Sequence, residues 1–414
     1  MTGRAPGAPR VARRARFRRA DGTILDDGLV LWFLGPASYT GEDVAEFHIH
    51  GGTAVVNAML EALAALPDHR PAQPGEFTRR AFGNGKLDLT QAEAIADLVQ
   101  AETEAQRHQA LRQLGGELRE HYDRWTNDLV RALAHLEAVI DFPDEDLPAA
   151  TLEGLRASLE RLERSIGEHL DDNRRGERLR SGFTIAIVGP PNVGKSSLIN
   201  AIVKRDVAIT APTPGTTRDV LEAHLDIAGF PVTILDTAGI RDSADAVEQE
   251  GVRRAFGRAE AADLKVLVLD ATAGDATPTA LTPILDRNTI VVLNKIDLAP
   301  TSRADGTSDG TTCSISVRTG EGMRELIDTL GRSIKQRYGL REAPTLTRAR
   351  HRRALEAARG AISRAREGLS GRAMLPELPA EDLRLAVRYL GEITGDVGVE
   401  EILDVVFRDF CIGK

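Results

Sequence analysis

Gly189-Pro190-Pro191-Asn192-Val193-Gly194-Lys195-Ser196 places two glycines, a lysine and a hydroxyl at the spacing G-x-x-x-x-G-K-[ST]. Glycines let a backbone curl until successive N–H groups point at phosphate oxygens. Lys195 is then placed to reach the β- and γ-phosphates, and the Ser196 hydroxyl to ligate Mg²⁺. Candidate contacts run through Asn192, Val193, Gly194, Lys195, Ser196 and Ser197. The chemistry implied is nucleoside triphosphate binding, provided that a strand leads into the loop and a helix leaves it. The apolar run from 183 to 188 and the segment Ser197-Leu198-Ile199-Asn200 supply that context.

Three further elements follow at the order and spacing of GTPase domains. Asp236-Thr237-Ala238-Gly239 closes an apolar strand and is suited to a γ-phosphate and Mg²⁺ contact. Asn294-Lys295-Ile296-Asp297 follows the strand ending at Leu293 and reads guanine, the carboxylate of Asp297 accepting from the ring N1–H and the 2-amino group. Adenine lacks those donors and would leave the carboxylate unpaired. Ser316-Val317-Arg318 stands where a supporting S-A-K element belongs. Ras-like proteins set a water-orienting glutamine after the D-x-x-G glycine. Here that position is Ile240, which cannot act so. The next segment offers Arg241, Asp242, Asp245, Glu248 and Glu250.

These motifs need a scaffold, and 414 residues are enough for two or three domains with substantial cores. Between 182 and about 338, strand and helix signals alternate as in a doubly wound parallel sheet. On both sides the pattern is helical. Leu111, Leu114, Leu118, Leu129, Leu133 and Leu136 keep three- and four-residue spacing, as do Leu152, Leu155, Leu159, Leu162, Ile166 and Leu170. Helical periodicity resumes from about 348, so the α/β unit reads as inserted into a helical domain. Before it, residues 29–33 and 44–49 read as strands and 55–66 as a helix.

Charged residues make up 28% of the chain and the formal charge is −9. No apolar run approaches the ~18 residues of a membrane span. Cys313 and Cys411 form no disulfide framework, which suits a reducing cytoplasm. The net charge argues against a protein that coats nucleic acid, though not against a local basic patch. The first twenty residues hold seven arginines and no acid. They fit an organellar transit peptide, an RNA-binding arm, or a disordered or wrongly assigned start. His48 and His50 lack the further ligands a metal site needs and read as hydrogen-bonding residues.

Gly215-Thr216-Thr217-Arg218-Asp219, the D-T-A-G element and the terminal Cys411-Ile412-Gly413-Lys414 resemble the MnmE (TrmE) family of tRNA-modification GTPases. The similarity includes Thr40-Gly41-Glu42-Asp43-Val44, His50-Gly51-Gly52, Pro74-Gly75-Glu76-Phe77 and Leu87-Asp88-Leu89-Thr90-Gln91-Ala92-Glu93-Ala94. The resemblance implies an α/β P-loop GTPase domain with a doubly wound sheet, inserted in an all-α helical domain and preceded by a small α+β folate-binding domain. The expected boundaries are 1–84 for the folate-binding and dimerisation domain, 85–181 and 339–414 for the helical parts, and 182–338 for the G domain. Similarity is expected to begin near Ala20-Asp21-Gly22. The family's first strand and helix are then absent, which leaves the folate pocket incomplete and a sheet edge unpaired.

Residue by residue, the resemblance makes Asn192 a K⁺ ligand, with backbone around Ala211, Thr213 and Thr216 as the K⁺ loop. Ser196 and Thr217 would hold Mg²⁺. The GTP contacts extend over Ala211, Pro212, Thr213, Pro214, Gly215, Thr216 and Thr217, Asp236 to Gly239 (Thr237 and Ala238 included), Asn294, Lys295, Asp297, Ser316, Val317 and Arg318. Glu248 matches a water-orienting glutamate, and Arg241 joins it and Lys195 as catalytic candidates. Glu46, Lys86 and Lys414 resemble contacts to 5-formyl- or 5,10-methylene-tetrahydrofolate. Cys411 is a candidate for the modification chemistry. At four residues from the end it also mimics a C-a-a-X signal, but Lys414 ends that pattern poorly.

The activity implied is a K⁺-dependent GTPase that installs a carboxymethylaminomethyl or aminomethyl group at C5 of the wobble uridine, U34, of certain tRNAs. A homodimer is implied, with the FAD-containing flavoprotein MnmG (GidA) as heterotetramer partner, cytoplasmic and off the membrane. The rival reading is a regulatory switch of ribosome assembly of the Era or Der type, which shares the G-domain motifs. Against it, the sequence shows no second G domain, while Cys411-Ile412-Gly413-Lys414 is present.

Overall fold

A computed structural model describes residues 1–3, 7–141, 149–172, 174–207, 222–236, 257, 260–273, 282, 285–298, 312–338, 345–369, 375–397, 403, 406–407 and 410. The chain divides into two compact units. One comprises 1–99, 112–163 and 354–414, the other 100–111 and 164–353.

The first unit opens with an antiparallel sheet of β1 (Arg13–Arg18), β2 (Ile24–Phe33) and β3 (Val44–His48), in that spatial order. The arginine-rich start is therefore in part a strand. Arg13 faces Val30 and Phe17 faces Asp26 across the β1–β2 ladder. One inward aromatic, Phe17, fully buried and edge-on to Phe47 at 5.4 Å, holds the strand down. Its exposed arginines conceal the alternation that would mark a strand in the sequence. The turn into β2 is closed by Arg19 N–H donating to Thr23 O (2.8 Å), with Gly22 at φ +87.

Helix α1 (Thr53–Ala64) follows, then α2 (Glu76–Gly83), α3 (Leu89–Gln100), α4 (Glu104–Leu114), α5 (Glu117–Asp141) and α6 (Ala149–Leu170), of which α4 and α6 are each divided between the two units. Leu118, Tyr122, Trp125, Leu129, Ala132 and Leu136 form the buried stripe of α5. Leu111 departs from the expected stripe and is exposed. The helix breaks before Glu117, where Gly116 sits at φ +93, so the periodicity restarts there. The two helical parts of the sequence do pack together within this unit: Arg384 pairs with Glu137, and Arg119 reaches Asp396 at 3.4 Å.

The second unit contains α7 (Arg175–Ser181) and a six-stranded sheet. Its strands are β4 (Phe183–Val188), β5 (Glu222–Ile227), β6 (Phe230–Asp236), β7 (Leu264–Asp270), β8 (Thr289–Asn294) and β9 (Thr312–Ser314), in the order β5-β6-β4-β7-β8-β9. Four of the five pairings are parallel. The edge strand β5 is antiparallel to β6 through a two-residue turn, Ala228 at φ +55 and Gly229 at φ +86. That positive-φ pair matches the twist of a tight hairpin. The central parallel strands are mostly apolar because both faces are covered, as in β7, where six of seven residues are buried.

Helices α8 (Lys195–Ile202) and α9 (Met323–Tyr338) belong to this unit, with Phe183 packed 4.8 Å from the Tyr338 ring. Two further helices, α10 (Ala349–Gly368) and α11 (Glu377–Thr394), follow toward the carboxyl end. At the start of α10, Arg352 is nearly buried but well satisfied. It donates to Asp172 (2.6 Å), Glu177 (2.8 Å) and Leu170 O (2.7 Å).

Candidate nucleotide site

The loop between β4 and α8 leaves the carboxyl end of a central parallel strand, where open α/β sheets place their ligands. Its shape depends on residues at left-handed backbone angles: Gly189 (φ +153), Asn192 (φ +63) and Gly194 (φ +97). A Cβ on Gly189 would lie 2.3 Å from Val268 O, and one on Gly194 would lie 2.5 Å from the Asn294 amide nitrogen. Both glycines are thus fixed by close approach as well as by conformation.

Gly194 caps α8, and Lys195 opens it, so the loop delivers its cation to a helix amino terminus, the favourable end for phosphate. Lys195 is 9% exposed and donates to Gly189 O and Pro190 O, each at 2.8 Å. These bonds draw the ammonium over the loop. Ser196 and Ser197 lie exposed in the first turn of the helix.

The base-reading elements are joined to this loop. Asn294, 3% exposed at the end of β8, donates its amide to Val193 O (2.8 Å) and accepts from Val317 N–H (3.2 Å). One side chain therefore ties the phosphate loop to the Ser316-Val317-Arg318 segment. Lys295, at φ +68, donates to Asn192 O (2.9 Å) and to Asp270 (2.6 Å). The Asp297 carboxylate accepts from the Ser316 hydroxyl on one oxygen and meets Arg318 on the other, both at 2.7 Å. The Ser316 hydrogen bond, then the Arg318 charge, lower its pKa and keep it an acceptor.

Asp270 is a contributor that the sequence reading missed. It ends β7 and accepts from Thr272 N–H and the Thr272 hydroxyl (2.9 and 2.7 Å) as well as from Lys295. The Lys295 hydrogen bond, followed by those of Thr272, lowers its pKa to about 2. No motif marks it. The available signal is an apolar strand that closes on an aspartate beside the N-K-x-D strand.

Asp236 ends β6, directly beside Ile187 of β4 in the ladder. The structure therefore gathers Asn192 to Ser197 with Asn294, Lys295, Asp297 and Ser316 to Arg318 through hydrogen bonds and shared strand ends. Ala211 to Thr217, Thr237 to Gly239, Arg241, Glu248, Cys411 and Lys414 lie outside the described residues.

The folate candidates occupy the first unit. Glu46 on β3 is exposed and meets His48 at 3.3 Å, and Lys86 donates to Pro36 O at 2.9 Å. His50 gives its N–H and Nδ1 to Asp26 (2.8 and 2.9 Å), so both histidines are engaged with carboxylates. Among the described residues no helix is long and apolar enough to cross a membrane.

Residues 1–86 match the family model described as GTP-binding protein TrmE N-terminus, and 89–411 match MnmE helical domain. The first match begins at residue 1, so the resemblance covers the arginine-rich segment and does not wait for Ala20. The chain is 53% identical to the tRNA modification GTPase MnmE of Paramagnetospirillum magneticum, spanning 100% of this chain and 92% of that one. It is 54% identical to the protein of that name from Parvibaculum lavamentivorans, with 100% and 93% covered. It is also 48% identical to the mitochondrial 5-taurinomethyluridine-[tRNA] synthase subunit GTPB3 of Danio rerio, with 98% and 86% covered.

Proposed function

This chain belongs to the MnmE family of tRNA modification GTPases, and we propose that it couples hydrolysis of GTP to modification of C5 of the wobble uridine in certain tRNAs. The observation that carries the nucleotide half is the joining of two elements. Asn294 and Lys295 hold the phosphate loop by its carbonyls while Asp297 is set to read guanine. A triphosphate lies on the amino terminus of α8 with Lys195 against its β- and γ-oxygens.

Ser196 and Thr217 hold Mg²⁺, and Asn192 with the backbone of Ala211, Thr213 and Thr216 holds K⁺. The exposed Ser196 hydroxyl and the left-handed turn at Asn192, which brings a side-chain amide to the loop, fit oxygen-seeking cations. Bound there, the two ions supply positive charge where negative charge develops on the phosphate oxygens. Ile240 cannot orient water, so Glu248 takes that role, with Lys195 and Arg241 as the other catalytic residues.

The second half of the proposal is the modification itself. Glu46, Lys86 and Lys414 hold a 5-formyl- or 5,10-methylene-tetrahydrofolate. The exposed Glu46 carboxylate suits pterin N–H donors, and the Lys86 ammonium suits the glutamate tail. The product carries an aminomethyl or carboxymethylaminomethyl group. A homodimer works with the FAD-containing MnmG flavoprotein, in the cytoplasm, and Cys411 is a candidate for that chemistry.

Mass spectrometry of wobble-uridine nucleosides tests this reading in a cell that lacks its own family member. Expression of this chain is expected to produce the 5-aminomethyl-type nucleoside, and expression of Lys195→Ala none. GTP turnover of the purified chain is expected to be faster in KCl than in NaCl at equal ionic strength. A chain that hydrolyses GTP yet yields no modified nucleoside would instead favour a regulatory switch.

A further inference from the structure

The arginine-rich segment is a sequence feature that neither the nucleotide site nor the folate candidates use. Arg13, Arg14, Arg16 and Arg18 lie on β1, an outer strand of the three-stranded sheet, with Arg10 before it and Arg19 after it. All but Arg19 are exposed. Side-chain alternation turns Arg14 and Arg16 to one face, about 7 Å apart along the strand. Asp27, across the ladder, meets them at 3.7 and 2.9 Å. Arg19 pairs with Glu61 at 3.0 Å.

Arg10 and Arg18 donate instead to main-chain carbonyls, of Ala37 (2.7 Å) and Gly22 (3.0 Å). Neutral acceptors orient a guanidinium without cancelling its charge. Among the described residues, the ion pairs of these six arginines reach two carboxylates, Asp27 and Glu61. A positive ridge therefore stands on a chain whose formal charge is −9. Arginine on an edge strand also deters pairing with another strand. That protective role requires no surplus of oriented charge.

We propose that β1 and its flanking arginines bind the sugar-phosphate backbone of the RNA substrate. The inference rests on the tRNA reading above. Guanidinium groups match phosphate in planar, two-point geometry, and the roughly 7 Å repeat of same-face residues is on the scale of the step between phosphates on one strand. Such contacts place the RNA without reading its sequence.

The test is equilibrium binding of an unmodified tRNA transcript over a salt series, with the full chain. Each phosphate contact contributes about 0.7 to 0.9 to the slope of log K against log salt. The variant Arg10→Gln/Arg14→Gln/Arg16→Gln/Arg18→Gln is expected to lose about 3 from that slope and more than about tenfold in affinity near physiological salt. Its GTP hydrolysis is expected to stay unchanged. Lysine at the same four positions is expected to keep the slope, which separates charge from folding. Arg14→Gln alone is expected to lower it by about 1. A control altering the exposed Arg359 and Arg388 to Gln is expected to leave it as it was.

A four-site variant within about half a unit of wild type overturns the proposal, as does a control that loses as much. Retained tRNA binding with lost binding to phosphatidylserine vesicles also overturns it and assigns the ridge to a membrane. If wild type binds and modifies tRNA and the variant does too, only the surface is wrong. If wild type hydrolyses GTP but binds no tRNA, the tRNA reading falls with it.

Discussion

In the six-stranded sheet, β4 and β7 are covered at nearly every residue, whereas β1 of the three-stranded sheet buries Phe17 alone among its six positions. Parallel strands packed on both faces have no side-chain surface to spare. Function in that unit is pushed to the carboxyl ends of the strands, where the chain departs into loops. Lys195, Asp236, Asp270 and Asn294 all stand at or just beyond such ends. The small antiparallel sheet instead presents side chains along the length of its strands, so its chemistry lies on a face and an edge. Strand ends concentrate reactive groups into short contiguous motifs, whereas faces and edges distribute them at alternate residues and across strands.

The sharpest way to break this division is at Asp297. Asp297→Asn replaces an acceptor by a donor against the guanine amino group. GTP affinity is expected to fall at least about 100-fold. A relative gain for xanthosine triphosphate should follow, since that base offers a carbonyl there. Nucleotide titration reads both effects. The salt slope for tRNA should not move, and a variant that changed it would show that the two regions are not functionally separate.

A second test compares the units in acid. His121 on α5 lies 4.4 Å from the Trp125 ring, and burial, with the nearby Arg124 charge, lowers its pKa to about 4. A histidine held neutral in the folded state stabilises it fully above the unfolded pKa of about 6.5, and that stability is lost as pH falls toward 4. The loss is on the order of 2 kcal/mol once partial exposure of the ring is allowed for. Asp270 in the other unit behaves differently. Its contribution is present above the ordinary carboxylate range and disappears only as pH falls through about 2. Both tryptophans, Trp32 and Trp125, belong to the first unit, so their fluorescence reports on it. Urea midpoints by that signal are expected to fall between pH 6.5 and 4, and His121→Gln should flatten the trend. An unchanged slope in the variant would remove His121 from the account.

The smallest effect is expected from Arg318→Ala. Its guanidinium meets Asp297, but the side chain is 74% exposed, and exposed pairs are worth up to about 1 kcal/mol. GTP affinity should shift by less than about fivefold. A loss as large as that of the Asp297 variant would mean that the arginine, and not the carboxylate, carries base selection.

Much of the candidate site is legible in the sequence. Phosphate loops and N-K-x-D elements are contiguous because a strand end, a turn and a helix start occupy consecutive residues. Asp270 was not, since its partner Lys295 lies 25 positions away and the two meet only because β7 and β8 are neighbours in the sheet. The arginine strand was misjudged for a related reason. Its one inward anchor, Phe17, gives too little alternation to be recognised without β2 beside it. Leu111 likewise looked like core because its spacing to Leu118 runs across the break that separates α4 from α5.

By itself the sequence determined the local chemistry: a triphosphate loop, a guanine-reading carboxylate, and helical stripes with a regular period. Those follow from residue spacing along one element, which backbone geometry translates directly into direction. Tertiary structure alone decided that Asn294 crosses 101 positions to hold Val193 O, that Lys295 finds Asp270, and that the arginines form a ridge on an ordered sheet edge. Such partners are set by strand order and register, which arise from burying many apolar side chains at once and not from any short run of residues.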